Sequence, residues 1–207
     1  MIKAEDFWDK AAPKYALQPI QNERAYQETL EETRRHLTLN DAVLEVGCGT
    51  GSTALQLAGS AGHITATDIS GSMIAIGQEK AERLGVANIT FLPATLTDER
   101  IPPGPYDVVL AFNFLHLLDD VPGAAKSIHT LLKPGGLFIS KSACLGRYNV
   151  FFRILIAAAQ LFRKAPYVAF FSKKELEDMI SSQGFEIIDA RYFAGAKRSW
   201  YVVARKK

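Results

Sequence analysis

"VLEVGCGTG", residues 43–51, decides the fold. An apolar run carrying one acid, Glu45, ends in three glycines, Gly47, Gly49 and Gly51, which alternate with Cys48 and Thr50. A short apolar run of this kind reads as a strand buried on both faces. The glycines turn the chain sharply, through positive φ, and let its backbone approach a ligand closely. From Ser52 the pattern is helical, so the turn feeds a helix N-terminus, whose free N–H groups and positive dipole end receive an anionic or polar group. A tight turn that holds nothing is the plainer alternative, because a glycine-rich turn alone is a weak signal.

Outward from this stretch, strand-like and helix-like runs alternate. "HITATD" (63–68), "NITFLP" (88–93), "YDVVLAF" (106–112) and "GLFISK" (136–141) read as strands. "SMIAIGQEKAERLG" (72–85) reads as a helix, with Met73, Ile76, Lys80 and Leu84 at 3–4 spacing and Gly85 as its stop. "VPGAAKSIHTLLKPGG" (121–136) reads as a second, with Asp119-Asp120 as its cap, proline in the first turn and Pro-Gly-Gly beyond its end. This alternation predicts a mostly parallel sheet with helices on both faces. "SKKELEDMISSQG" (172–184) opens with the capping-box pair Ser172 and Glu175. "FEIIDARYF" (185–193) and "SWYVVAR" (199–205) follow with too short a linker for a crossover helix, so they pair as an antiparallel hairpin at a sheet edge. Before the first strand lie "EDFWDKAAPKY" (5–15) and the helix-like "NERAYQETLEETRRHL" (22–37), in which Glu31 and Arg35 stand four apart.

The second strand ends in Asp68, 21 residues after Gly47. An acid at that place accepts hydrogen bonds from the two hydroxyls of a ribose; a helix cap or a surface charge is its plainer alternative. The glycine spacing is G-x-G-x-G, with Ser52 where a dinucleotide fingerprint has its third glycine, and no G-x-x-x-x-G-K-[ST] loop is present.

"VLEVGCGTG", "ATDIS", "YDVVLAFNFLHLL" and "LLKPGGLFISK", in this order, resemble the class I S-adenosylmethionine-dependent methyltransferases over about residues 5–205. The opening "FWDKAAPKY" is similar to the start of the small-molecule group related to the ubiquinone and menaquinone enzymes. The resemblance implies a Rossmann-like seven-stranded sheet whose last strand is antiparallel, and S-adenosylmethionine as cofactor. It implies that Glu45 and the turn Gly47, Cys48, Gly49 and Gly51 surround the methionine part, that Asp68 holds the ribose, and that Ile69 and Met73 pack against adenine. Phe112 and Asn113 then line the site after the fourth strand, and Tyr15 is the N-terminal aromatic folded over the cofactor. One departure stands out: where the family usually has an Asp after the third strand, this chain has Ala94, so Thr95 is the candidate for an N–H contact to the ring.

One domain is expected over the 207 residues: an N-terminal helical cap (1–40), a cofactor-binding core (41–141), an acceptor-cover insertion (142–171), and a C-terminal helix with its hairpin (172–207). At 48% hydrophobic and 22% charged the chain has the means for a core, and a net charge of +2 gives no case for nucleic acid. Two cysteines, Cys48 and Cys144, make neither a disulfide framework nor a four-cysteine metal site, and no signal segment is evident. A reducing, cytoplasmic setting, no metal, and a monomer or homodimer are therefore expected.

The implied chemistry is methyl transfer to a small acceptor by in-line displacement, where alignment carries much of the catalysis. His116 is a candidate base, or else a packed histidine; Asn113 is a candidate for orienting the acceptor. The greasy stretch "VFFRILIAAAQLF" (150–162), flanked by Arg147, Arg163 and Lys164 and containing Arg153, suits three roles: a lid over an apolar acceptor pocket, a transient membrane contact, or core and interface. The first two point to a lipophilic acceptor. A cofactor-binding protein without transferase activity, a sensor or partner subunit, is the alternative function.

Overall fold

The computed structural model describes residues 3–146, 165–196 and 198–207. The stretch 150–162 and its flanking Arg147, Arg163 and Lys164 lie outside the described residues. In chain order the elements are α1 (Ala4–Ala16), α2 (Glu23–Arg34), β1 (Ala42–Val46), α3 (Ser52–Leu57), β2 (His63–Asp68), α4 (Gly71–Leu84), β3 (Ile89–Pro93), β4 (Tyr106–Phe112), α5 (Val121–Leu131), β5 (Leu132–Ala143), α6 (Lys173–Ser181), β6 (Phe185–Arg191) and β7 (Ser199–Lys206).

The strands form one seven-stranded sheet in the order β3-β2-β1-β4-β5-β7-β6. β1 pairs in parallel with β2 and β4, so the chain reverses direction of winding at β1, and the carboxyl ends of β1 and β4 open a crevice. β7 runs antiparallel between β5 and the edge strand β6, which places the expected hairpin at one end of the sheet. Side chains alternate across it. Val43, Val108, Leu110, Ile139 and Val203 pack on one face with Leu30 and Leu57, and Leu44, Val109, Phe138 and Val202 on the other with Ile128, Leu176 and Ile180. Both faces are therefore covered by helices, as the near-continuous apolar strands demand.

Local signals set the helix ends. Asn22, Ser70 and Asp120 each accept a backbone N–H at the start of their helices, and Gly85, at φ 66°, ends α4. Ser172 and Glu175 make both bonds of a capping box. Ser172→Ala removes one of them and exposes no new partner, so a loss of about 1 kcal/mol is expected. A fall in Tm of roughly 3 °C in a thermal melt checks it.

Three local expectations are corrected. The helix expected over 121–136, α5, stops at Leu131 and β5 begins at Leu132, because Leu132 already pairs with Tyr106 before the register shifts around the Pro-Gly-Gly turn. The inward stripe of α4 is Met73, Ile74, Gly77 and Ala81, while Leu84 is 62% exposed. Arg35, the C-cap of α2, pairs with Glu32 at 3.0 Å rather than with Glu31.

Candidate functional site

The crevice beyond β1 is built from the glycine turn. Gly47, Gly49 and Gly51 have φ of 68°, 54° and 71°, a left-handed backbone in which a Cβ is strained. Space excludes one as well: a Cβ on Gly47 would run into the ring of Phe114, and one on Gly51 would lie 2.5 Å from the ring of Phe91. The turn closes on itself through Gly51 N–H, which donates to Cys48 O at 3.0 Å, and on β2 through Cys48 N–H, which donates to Thr67 O at 2.9 Å.

Asp68 at the end of β2 faces this turn. Its Oδ2 accepts Gly49 N–H and its Oδ1 accepts Ser70 N–H, both at 2.9 Å. Burial raises its pKa against those two bonds. Glu45 is deeper. It is 2% exposed, and its Oε2 meets no hydrogen-bond donor. Burial raises the Glu45 pKa to about 8; Ala54 N–H in the first turn of α3 opposes the rise and Asp68 adds to it. A buried acceptor left open is costly unless something fills it, and a native site normally explains such an atom.

The N-terminal helix closes one side. Asp9 Oδ1 accepts Ser70 Oγ–H at 2.6 Å and Ser72 N–H at 3.0 Å, which pins α1 to the N-terminus of α4 and lowers the Asp9 pKa. Tyr15, 44% exposed, lies over the turn: a Cβ on Gly49 would be 3.8 Å from its ring. Partial burial raises the Tyr15 pKa and the Asp68 charge adds to it. Trp8 meets the Tyr15 ring edge-on, 6.3 Å between centroids.

The remaining sequence candidates are placed as follows. Cys48 is buried, and burial pushes its thiol up, which removes the thiolate a reactive role would need. Ile69 is half-buried and Met73 is buried. Ala94 is buried and its N–H donates to Asp68 O at 2.9 Å; Thr95 beside it is exposed. Phe112 packs into the core, its ring stacked 6.5 Å from that of Tyr201. Asn113 is exposed at φ 54°, its N–H donating to Lys141 O at 2.7 Å. His116 sits in a short turn at Leu115–Leu117, and Ala143 N–H points to its Nδ1 at 3.4 Å. Burial lowers its pKa to about 4, so the imidazole is neutral and a weak base at neutral pH. Among the described residues, no group of three or more His, Cys, Asp or Glu is placed to hold a metal ion.

Three residues at this site carry no signal in the sequence. Phe114, rather than Phe112, touches Gly47. Asp9 and Tyr26 reach the site from helices distant in sequence. The Tyr26 hydroxyl is buried beside the Thr53 side chain; burial raises its pKa, Thr53 opposes the rise and the Glu45 charge adds to it.

A glycine turn with an acid at the end of β2, and a seven-stranded sheet with one reversed strand, are joined by a sequence match. Residues 43–136 fit the family model described as a methyltransferase domain. The match supports the resemblance to the class I S-adenosylmethionine-dependent methyltransferases. An uncharacterized protein of Synechococcus sp. is 37% identical over 112 residues, 52% of this chain but 27% of that one. The ubiquinone biosynthesis O-methyltransferase of Coxiella burnetii is 25% identical over 196 residues, 90% of this chain and 79% of that one. The solved S-adenosylmethionine-dependent methyltransferase of Aquifex aeolicus is 16% identical, with a TM-score of 0.73 over 100% of both chains, and so shares the fold. The chain spans about a third or less of the length of the first curated relatives it matches.

Proposed function

We propose that this chain binds S-adenosylmethionine in the crevice at the end of β1 and transfers its methyl group to a small, lipophilic acceptor. The observation that carries the cofactor is the Glu45 carboxyl group, buried and without a hydrogen-bond partner at Oε2 beside three left-handed glycines. The amino-acid end of the cofactor has the group that fits it, an ammonium. The Tyr26 hydroxyl, buried between the Thr53 side chain and Glu45, is the donor for the neighbouring carboxylate. Asp68 remains the ribose acceptor, with lone pairs beyond the two it gives to Gly49 and Ser70. Ile69 and Met73 provide the apolar side for adenine, and Thr95 N–H its polar edge. Tyr15 and Phe114 supply aromatic faces beside the turn, favourable to a cation.

Once bound, the cofactor presents an electrophilic methyl on a sulfonium. The chain's own task is then to align the acceptor and exclude water. Phe114 and Leu118 after β4, Cys144 after β5 and Ala169 before α6 are each half-buried against the same core cluster, apolar surface that supports a lipophilic acceptor. The relative from Coxiella burnetii, by its name an O-methyltransferase of ubiquinone biosynthesis, supports a phenol-like acceptor oxygen. Among the described residues no helix is long and apolar enough to cross a membrane. A cytoplasmic setting and a monomer or homodimer complete the proposal.

The test is transfer from methyl-labelled S-adenosylmethionine to a panel of lipophilic phenols and amines set against small polar acceptors. Label in the lipophilic set is the expected result. Label only in polar acceptors would overturn the acceptor class, and saturable cofactor binding without any transfer would favour a sensor or partner subunit.

A further inference from the structure

Lys80 stands on α4, outside the residues assigned to the site. Its Nζ donates to Thr50 Oγ1 at 2.8 Å, to Thr50 O at 3.2 Å and to Ser52 Oγ at 3.2 Å. An ammonium has three hydrogens, so all of them are committed to the turn and the first residue of α3.

The location is poor for a cation on ordinary grounds. Burial lowers the Lys80 pKa and Arg83 adds to the fall. The charge also sits at the N-terminus of α3, where the helix dipole is already positive. Helix stability therefore does not account for it. What the contact does fix is one peptide group. The Thr50 carbonyl is drawn out to Lys80, while the N–H on the other side of the same peptide, that of Gly51, donates inward to Cys48 O at 3.0 Å. Gly51, at φ 71°, is the residue that would let this peptide turn over cheaply. Phe91 closes the third side: a Cβ on Gly51 or on Gly77 would lie 2.5 or 2.7 Å from its ring. The glycine turn is thus held from α4 as well as from β1 and β2.

We infer that Lys80 is a positioning residue: it locks the Thr50–Gly51 peptide so that the turn at 47–51 keeps the shape that receives the cofactor. This rests on the cofactor proposal above, so two readouts are needed. In the first, S-adenosylhomocysteine is titrated calorimetrically into wild type, Lys80→Met and Lys80→Arg. Lys80→Met weakens binding about tenfold through lost preorganisation, with one site per chain retained. Lys80→Arg, whose guanidinium still reaches the Thr50 acceptors, stays within about threefold of wild type. The second readout is amide hydrogen exchange of the ligand-free proteins. Exchange at residues 48–52 becomes about tenfold faster in Lys80→Met, while exchange in β1 and β4 stays unchanged.

Wild-type affinity in Lys80→Met would overturn the inference. So would faster exchange spread evenly over β1 and β4, which marks a general loss of stability. If wild type itself fails to bind, the cofactor proposal falls and exchange still decides on Lys80: acceleration confined to the turn supports the lock, and none refutes it.

Discussion

Asp68→Ala weakens S-adenosylhomocysteine binding about 10- to 100-fold, the loss expected from removing charge-assisted hydrogen bonds of about 1.5–3 kcal/mol. The carboxylate has two duties in this structure. It holds Gly49 N–H and Ser70 N–H, fixing the glycine turn to the start of α4. It also offers its remaining lone pairs to the ribose hydroxyls in the proposed complex. Asp68→Asn separates the two duties: its single oxygen still accepts one of the backbone bonds, but the charge is gone. Calorimetric titration of wild type and both variants, with a thermal melt of each, reads the difference. Affinity ordered wild type, Asn, Ala, with a larger spread in binding than in stability, is the expected pattern. Unchanged affinity in Asp68→Ala would move the ribose elsewhere.

How much of this site is written in local sequence can be judged residue by residue. The left-handed glycines, the acid 21 positions on and the capping box of α6 are legible because each depends on neighbours a few residues away. The hairpin is legible because a short linker leaves two strands no other pairing. The Lys80 contact to Thr50 spans 30 residues, and that of Asp9 to Ser70 spans 61. Only the packing of α4 on the sheet, and of α1 on α4, creates them. Phe114 and Phe112 cannot be told apart in "FNF" without knowing that β4 ends at Phe112 and that Asn113 takes positive φ, which turns the next ring toward Gly47. The boundary between α5 and β5 fails for a related reason: "LLKPGG" carries helix-stop residues, and the pairing of Leu132 with Tyr106 claims the preceding leucine for the sheet. Ala94 shows the limit in the other direction. The acid that the family resemblance leads one to expect is absent there, yet the Ala94 N–H still ties the end of β3 to the carbonyl of Asp68.

Glu45→Gln should move stability and binding in opposite directions, and the pH dependence identifies the cause. The Glu45 pKa is raised from 4.5 to about 8, mainly by burial. Below 4.5 the carboxyl is protonated in both folded and unfolded chains, and the full stability of its neutral form is present. Between 4.5 and 8 the unfolded chain releases the proton and the folded chain keeps it, so wild-type stability falls as pH rises. Above 8 the folded carboxyl is ionised too, and the loss is complete. Gln cannot ionise. Its stability advantage should therefore be near zero at pH 4.5 and grow to a few kcal/mol at pH 9, as urea unfolding at the two values would show. The same substitution removes the charge that the cofactor's ammonium meets, weakening S-adenosylhomocysteine roughly 10- to 100-fold at pH 9. Since binding needs the carboxylate and the free protein holds it protonated, wild-type affinity rises with pH up to about 8 and that rise is lost in Glu45→Gln. A stability difference that is equal at both pH values would mean that Glu45 is not the buried acid described here. A gain in stability at pH 9 with wild-type affinity would mean that the cofactor's ammonium binds elsewhere. If both shifts appear together, the chain keeps a buried, destabilising carboxylate at the end of β1 because the ligand completes it.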